Sequence, residues 1–150
     1  MKRKLKKVAF LVLCFTTFLL SSVTVFALVK PDSFYDEISW TWSYSAEATS
    51  SYNCLGYATG SMVWEWPWGY SNPSSSQVDT YLSGKGYSKS GSWAQIVSYG
   101  WSSNITHFSK VTGTEWSRAK WGSLERFNHN SWDPYYHNSV YGPQVQIYYQ

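Results

Sequence analysis

Residues 51–60 read SYNCLGYATG, and this stretch predicts a helix that begins at a cysteine. The side-chain oxygen of Asn53 is suited to accept hydrogen bonds from the first free N–H groups of a helix that starts at Cys54. The apolar residues that follow lie on one helical face as far as Met62, and the proline and glycine of residues 67–69 end the pattern. The chain is therefore expected to place a thiol in the first turn of a helix.

The rest of the chain predicts a change from helix to strand. A second helix is predicted near Ser76, and short runs rich in Val, Ile, Tyr and Trp predict strands from residue 94 onward. The predicted strands cover residues 94–101, 105–111, 115–121 and 145–149. Helices followed by strands indicate an α+β fold, with N-terminal helices packed on a small antiparallel β-sheet.

The first 27 residues predict a secretory signal peptide. A basic start, MKRKLKK, precedes a long apolar run, and small residues near Ala27 suit a cleavage site. The alternative is an uncleaved membrane anchor, because residues 8–28 are about long enough to span a bilayer. With cleavage, residues 28–150 form a single domain whose first part, 28–50, is expected to be irregular. The protein is then secreted or held at a bacterial cell surface, and touches the membrane only through the signal.

The charge of the chain belongs largely to that signal. The full chain carries 12 Lys and Arg against 9 Asp and Glu, a net charge of +3, but five of the basic residues precede residue 8. The predicted mature chain keeps seven basic and nine acidic residues, a net charge of −2. Nucleic-acid binding needs a clustered basic face, so no such partner is expected. A monomer without a cofactor is expected.

Cys54 is the one cysteine that remains after cleavage, since Cys14 lies in the signal. An unpaired cysteine in an exported protein indicates an intermolecular disulfide or a reactive thiol. At the start of a helix the pKa of a thiol is expected to fall toward that of a usable nucleophile. The same position also suits a small buried residue of the core, so position alone leaves both interpretations open.

A thiol nucleophile requires a base, and His107 is the first candidate. It lies on a predicted strand, from which an imidazole can reach a helix N-terminus packed over the sheet. His129 and His137 compete for the role, although their surroundings look like loops. The spacing of histidines and cysteines fits no zinc motif, so no metal site is expected.

The base needs a third polar group to orient it, and the residues alone leave that group open. Glu125, Asn128 and His129 all follow His107 within one short segment. None of the three is favoured by spacing.

Several motifs together resemble those of bacterial papain-like cysteine hydrolases of the NlpC-type superfamily. The stretches that carry the likeness are Asn53-Cys54-Leu55-Gly56-Tyr57-Ala58-x-Gly60, then Trp66-Pro67, then Thr106-His107-Phe108. A branch of that superfamily also has a late Lys-x-Gly-x-x-Glu-x-x-x-His segment and a Tyr-Gly pair. The chain is similar to that tail at residues 120–129 and at Tyr141-Gly142, so the resemblance covers roughly residues 50–150.

The resemblance implies a papain-like fold with Cys54 as nucleophile and His107 as base. It makes Glu125 the first choice for the residue that orients His107, because Glu125 matches the tail motif. The branch itself supplies no activity or substrate, and the activity expected from a Cys–His pair is hydrolysis of an amide bond in a peptide or a peptidoglycan stem. The chain departs from the pattern at Gly56, where Ala is usual, and at Ala119, where Ser is common.

Aromatic residues suggest a second function. Ten Trp and 13 Tyr all lie in the predicted mature chain. Under the resemblance, Trp64, Trp66 and Trp68 line or roof the cleft beside Cys54 and bind substrate. The alternative is a protein without catalytic activity, in which the same aromatic residues form a platform that binds glycans. Such a protein would be a binding or toxin-like module with a papain-like fold.

Overall fold

The structure is a computed structural model that describes residues 27–39, 41–130 and 141–150. The predicted signal peptide and His137 lie outside these residues. The three helices are α1 (Asp32–Asp36), α2 (Cys54–Thr59) and α3 (Ser75–Gly84). The strands are β1 (Ser43–Ala46), β2 (Ser88–Ser90), β3 (Ile96–Trp101), β4 (Asn104–Gly113), β5 (Trp116–Lys120), β6 (Arg126–Asn130) and β7 (Gln144–Tyr149).

One seven-stranded sheet dominates the fold. Its strands lie in the order β1-β6-β5-β4-β3-β7-β2, and every neighbouring pair is antiparallel. The helices are 5, 6 and 10 residues long. The prediction of an α+β, papain-like arrangement, with helices packed on a small sheet, is therefore wrong. The protein has a β-rich fold with a few short helices.

The sheet was underestimated because two of its strands, β1 and β6, are rich in polar residues. The strand β6 carries Asn at two of its five positions, which resembles loop sequence, yet Phe127 and His129 alternate inward and are buried. The strand β1 lies inside the segment 28–50, which was predicted to be irregular, and it pairs with β6. A strand is recognised in a sequence by alternating apolar and polar residues, which reflect one buried and one exposed face. Polar residues on both faces remove this alternation, so such a strand is missed.

The helix α2 begins at Cys54, as predicted, but ends earlier than the sequence pattern indicates. Asn53 caps it, since its side-chain oxygen accepts a hydrogen bond of 3.0 Å from the backbone N–H of Gly56. Gly60 ends it in the left-handed conformation, with φ of 79°. Met62 is therefore outside the helix and exposed, because the chain turns back and the Met62 N–H donates to the Gly56 carbonyl at 3.0 Å.

The sheet buries a core on each face. The face that carries α2 and α3 buries the apolar residues Cys54, Leu55, Ala58, Val78, Leu82, Ile96, Ile105, Phe108 and Tyr148. The opposite face buries Tyr35, Ile38, Val97, Tyr99, Ala119, Trp121, Phe127 and Ile147. Successive residues of a strand point to opposite faces, which assigns Phe108 to the helix face and His107 to the other. Within the described residues, no helix has both the length and the apolar character needed to cross a membrane.

Candidate functional site

Cys54 and His107 line the same cavity, which has a volume of about 460 Å³. Cys54 enters it from the start of α2, and His107 from the middle of β4. The remaining lining residues are Asn53, Trp64, Trp66, Gly69, Tyr70, Thr106, Gly122 and Tyr141. The two residues that the sequence paired as nucleophile and base thus reach one cavity.

Both side chains line one cavity, although alternation along β4 assigns them to opposite faces of the sheet. The pairing of β4 with β5 runs from Gly113 only as far as Lys110 opposite Arg118, so among the described strands β5 does not pair with β4 beside His107. The helix α2 packs against β4, and the backbone N–H of Phe108, the residue after His107, acts to lower the pKa of Cys54.

Cys54 is a protonated thiol at rest. Only 6% of the residue is exposed, and burial raises its pKa to about 11. The N–H groups of Phe108, Leu55 and Cys54 itself act in the opposite direction, as does the positive charge of Lys120. The expectation of a lowered pKa at the helix start is wrong, because the loss of water outweighs the donors of a six-residue helix.

His107 is a buried, neutral imidazole. Burial, and secondarily the charge of His129, lower its pKa well below the usual 6.5. Its ring stacks on that of Tyr141, with centroids 4.0 Å apart and an interplanar angle of 26°. A second aromatic neighbour is Tyr99, whose ring centroid lies 6.0 Å away. Neutral histidine beside a protonated thiol is the starting state for general-base catalysis.

Glu125, the first choice for orienting His107, binds the N-terminal segment. One carboxylate oxygen accepts the backbone N–H of Val29 at 2.6 Å, and the other accepts the hydroxyl of Tyr35. Burial and the hydrogen bond to Glu125 raise the pKa of Tyr35, so its hydroxyl stays a donor. These contacts assign Glu125 to anchoring residues 29–35 on the sheet.

Of the two remaining candidates, His129 lies on the same side of the sheet as His107. It is fully buried on β6, and its ring centroid lies 6.3 Å from that of Tyr99, which also neighbours His107. Burial lowers the pKa of His129 to about 4, although a hydrogen bond with the Asn130 backbone at 2.9 Å acts in the opposite direction. Asn128 is turned outward and bonds Arg118 and Ser43.

Two of the three predicted tryptophans lie in the cavity. Trp64 is about half exposed and Trp66 packs against Phe108, whereas Trp68 packs against Tyr81 and lines a different depression with α3. Of the three, Trp64 and Trp66 therefore line the cavity that contains Cys54.

The loop that carries these tryptophans is fixed by Glu65, a residue that the sequence patterns did not single out. Its carboxylate forms an ion pair of 2.5 Å with Lys85 and accepts the hydroxyls of Thr59, Ser61 and Tyr81. Burial acts to raise the pKa of Glu65, but these donors outweigh it and lower the pKa. The backbone carbonyl of Glu65 accepts the Asn53 amide at 2.8 Å, which ties the loop to the start of α2.

Residues 43–149 match the model of a protein family described as "Domain of unknown function (DUF7689)". The chain belongs to this family. The matched range contains every residue of the cavity and all seven strands up to Tyr149, but excludes α1 and the segment anchored by Glu125. No curated protein and no solved structure matches the chain. No group of three His, Cys, Asp or Glu side chains placed to hold a metal occurs in the described part of this DUF7689 protein.

Proposed function

We propose that this DUF7689 protein is a secreted cysteine hydrolase that cleaves an amide bond of a peptide or a peptidoglycan stem. The observation that carries the proposal is the presence of Cys54 and His107 in one cavity, on a helix and a strand that pack against each other. The residues used are a nucleophile and a base, and the proposal rests on no metal or cofactor.

The first step is attack on the substrate carbonyl. His107 accepts the proton of the Cys54 thiol as the sulfur bonds to the carbonyl carbon, and the carbonyl electron pair moves to the oxygen. The backbone N–H of Cys54 stabilises that oxyanion. On collapse the C–N bond breaks, and the imidazolium of His107 returns its proton to the leaving amine.

The second step is hydrolysis of the thioester. His107 removes a proton from water, the resulting hydroxide attacks the carbonyl, and the C–S bond breaks. The released Cys54 thiolate takes the proton back. An amine acceptor in place of water would make the same site a transferase, so the acceptor is a separate question from the nucleophile.

The cavity wall supports a substrate with an apolar or planar group next to the scissile bond. Trp64 is about half exposed, Tyr70 is fully exposed, and both line the cavity that contains Cys54. Stacking on such rings favours apolar side chains or the faces of sugar rings. Replacing Trp64 with Ala is expected to raise KM with little change in kcat. The matched control is Trp93→Ala, which removes another exposed tryptophan outside the cavity.

The test uses p-nitrophenyl acetate as a generic acyl donor and the full chain. We expect Cys54 to gain one acetyl group, which mass spectrometry detects on the peptide that contains it. In parallel, purified peptidoglycan is incubated with the protein and screened for released stem peptides. Cys54→Ala should abolish the adduct at this position, and His107→Gln should slow its formation by roughly 10²–10⁴-fold. Cys14→Ser is the matched control for a chain that keeps the predicted signal, and it should change neither result. Unchanged acylation in His107→Gln would contradict the proposal.

The alternative is a binding module without chemistry, and the raised pKa of Cys54 together with the exposed side chains of Met62, Val63, Trp64 and Tyr70 favours it. In that case Cys54→Ala would bind glycan or peptide ligands as the unmodified protein does, while Trp64→Ala would lose binding. Failure of Cys54 to form any acyl adduct, with binding intact, would select this alternative.

A further inference from the structure

Lys120 places a buried ammonium group beside the candidate site. The residue ends β5 and has no exposed surface. Its Nζ donates a hydrogen bond of 2.8 Å to the carbonyl of Gly122 and a second to the carbonyl of Leu124. Buried lysines are rare, because removing a charge from water is costly unless other groups compensate.

The surroundings of Lys120 belong to the cavity that contains Cys54. Its Nζ lies 5.6 Å from the ring centroid of Tyr52, which precedes Cys54 by two residues. Gly122, which accepts its hydrogen bond, lines the cavity. The helix α2, which begins at Cys54, packs against β5, which ends at Lys120, and the positive charge of Lys120 acts to lower the pKa of the Cys54 thiol.

We propose that the ammonium of Lys120 is a positioning group that stabilises negative charge on the Cys54 sulfur when His107 takes the thiol proton. This inference rests on the proposed function and adds a residue to it. In that step the proton moves from sulfur to imidazole, and Lys120 keeps all of its own protons. Lys120 touches neither substrate nor the bond that breaks, so its effect is electrostatic.

The other groups around the sulfur cannot take this role. His107 is neutral at rest, and Tyr141 is a neutral phenol because burial, and then the charge of Cys54, raise its pKa. Burial lowers the pKa of Lys120 to about 8, against the opposing charges of Glu125 and Cys54, so the ammonium still predominates at neutral pH. In a site that excludes water, such a charge acts more strongly than it would at the surface.

The arrangement explains how a thiol with a raised pKa can still serve as nucleophile. A thiolate in an apolar cavity is disfavoured by the loss of water, and an adjacent cation offsets part of that cost. The two backbone carbonyls hold the ammonium in place, so little reorganisation is needed when charge develops on the sulfur.

The test is the rate of alkylation of Cys54 by iodoacetamide at pH 7, where Lys120 carries its charge, and it needs no substrate. The full chain is used, and mass spectrometry of the Cys54 peptide separates its modification from that of Cys14. The variant Lys120→Gln removes the charge but keeps a hydrogen-bond donor, Lys120→Met removes both, and Lys120→Arg keeps the charge. Lys110→Met is the matched control, because Lys110 is an exposed lysine of the neighbouring strand.

We expect Lys120→Gln and Lys120→Met to slow the alkylation of Cys54 at pH 7 by roughly tenfold, which corresponds to about one unit in the pKa of the thiol. Lys120→Arg and Lys110→Met should react at a rate near that of the unmodified chain. A purely structural role predicts the opposite sign, because loosened packing would expose Cys54 and speed its alkylation. A rate that is unchanged or raised in Lys120→Gln overturns the inference, whether or not Lys120→Met folds.

The result is separable from the proposed function. If Cys54 is acylated by p-nitrophenyl acetate but Lys120→Gln leaves the rate of alkylation at pH 7 unchanged, the role of Lys120 fails and the hydrolase proposal stands. If that rate falls in Lys120→Gln but no acylation occurs, Lys120 still stabilises the thiolate and the hydrolase proposal fails.

Discussion

The ring of Tyr141 lies flat against the imidazole of His107, with centroids 4.0 Å apart, and so fixes the plane of the candidate base. Tyr141 is itself held by its backbone, since its carbonyl accepts the hydroxyl of Thr106 at 2.6 Å. Thr106 immediately precedes His107 on β4, so the two residues are joined both through the strand and through the stack. In the described structure this contact, more than any contact from Glu125, orients the imidazole.

The first prediction concerns that stack. Tyr141→Phe keeps the ring and is expected to acylate Cys54 at a rate close to that of the unmodified chain. Tyr141→Ala removes the ring, and the released imidazole should slow acylation by roughly tenfold to a hundredfold, since small misplacements of a catalytic group are costly. The measurement is the rate of acetyl transfer from p-nitrophenyl acetate. Tyr149→Ala, at an exposed position at the end of β7, is the control, and an equal rate in Tyr141→Ala would refute the orienting role.

The second prediction concerns Gly56, where the resemblance leads one to expect alanine. A Cβ at this position would lie 1.9 Å from the backbone carbonyl oxygen of Val63, so the loop that carries Trp64 would have to move. Gly56→Ala should therefore lower the free energy of unfolding by about 1–3 kcal/mol, measured by urea denaturation. Gly84→Ala is the control, because nothing lies within 4 Å of its added Cβ, and it should be neutral or slightly stabilising. Equal free energies of unfolding for the two variants would mean that the loop around Val63 moves to accommodate the added Cβ without loss of stability.

The third prediction concerns acid. His129 is buried with its pKa lowered to about 4, and an unfolded histidine titrates near 6.5. Between these values the unfolded state binds the extra proton, so stability is present above pH 6.5 and is lost as the pH falls toward 4. His129 alone should remove about 2 kcal/mol of the free energy of unfolding between pH 7 and pH 5.

Urea denaturation at the two pH values checks the effect of acid. His129→Gln should unfold with a smaller difference between pH 7 and pH 5 than the unmodified chain, since one buried titrating group has been removed. His107, whose pKa is also lowered by burial, keeps part of the dependence in that variant. An undiminished difference in His129→Gln would show that other groups cause the loss.

The fourth prediction concerns Glu125. Glu125→Gln weakens its hydrogen bonds with Val29 and Tyr35, and the amide hydrogens of residues 29–39 should exchange faster with solvent. Acylation of Cys54 should persist at a reduced rate, unlike in Cys54→Ala. Glu47→Gln, at an exposed acidic residue, is the control and should change neither quantity. Lost acylation with unchanged hydrogen exchange would restore Glu125 as the residue that orients His107.

The helix start was predictable from the sequence because its signals are local. Asn53 caps α2 through a contact with a residue three positions away, and Cys54 follows directly. The second helix, predicted near Ser76, was also found, and it begins at Ser75 with a capping box formed by Ser74 and Gln77. Such contacts depend on a few neighbouring residues and need no knowledge of the fold.

The sheet was only partly predictable, because membership in it is decided by distant partners. The sequence of β6 resembles a loop. In the structure Phe127 and His129 pair with residues of β5, and Phe127 packs in a core that includes Tyr35. The length of α2 was overestimated for a related reason, since the turn at Gly60 is closed by Met62 returning to Gly56.

By itself, the sequence determined that one thiol begins a helix and that a histidine follows on a strand, since both depend on local patterns around Cys54 and His107. Only the tertiary structure decided what chemistry surrounds them. Burial raises the pKa of the Cys54 thiol, whereas the local sequence pattern predicted a lowered pKa. Folding of the whole chain brings Lys120 and Tyr141 to the site. It also places Glu125 against the N-terminal segment, where it binds Val29. Desolvation and long-range contact depend on the whole packed chain, and no short stretch of residues contains them.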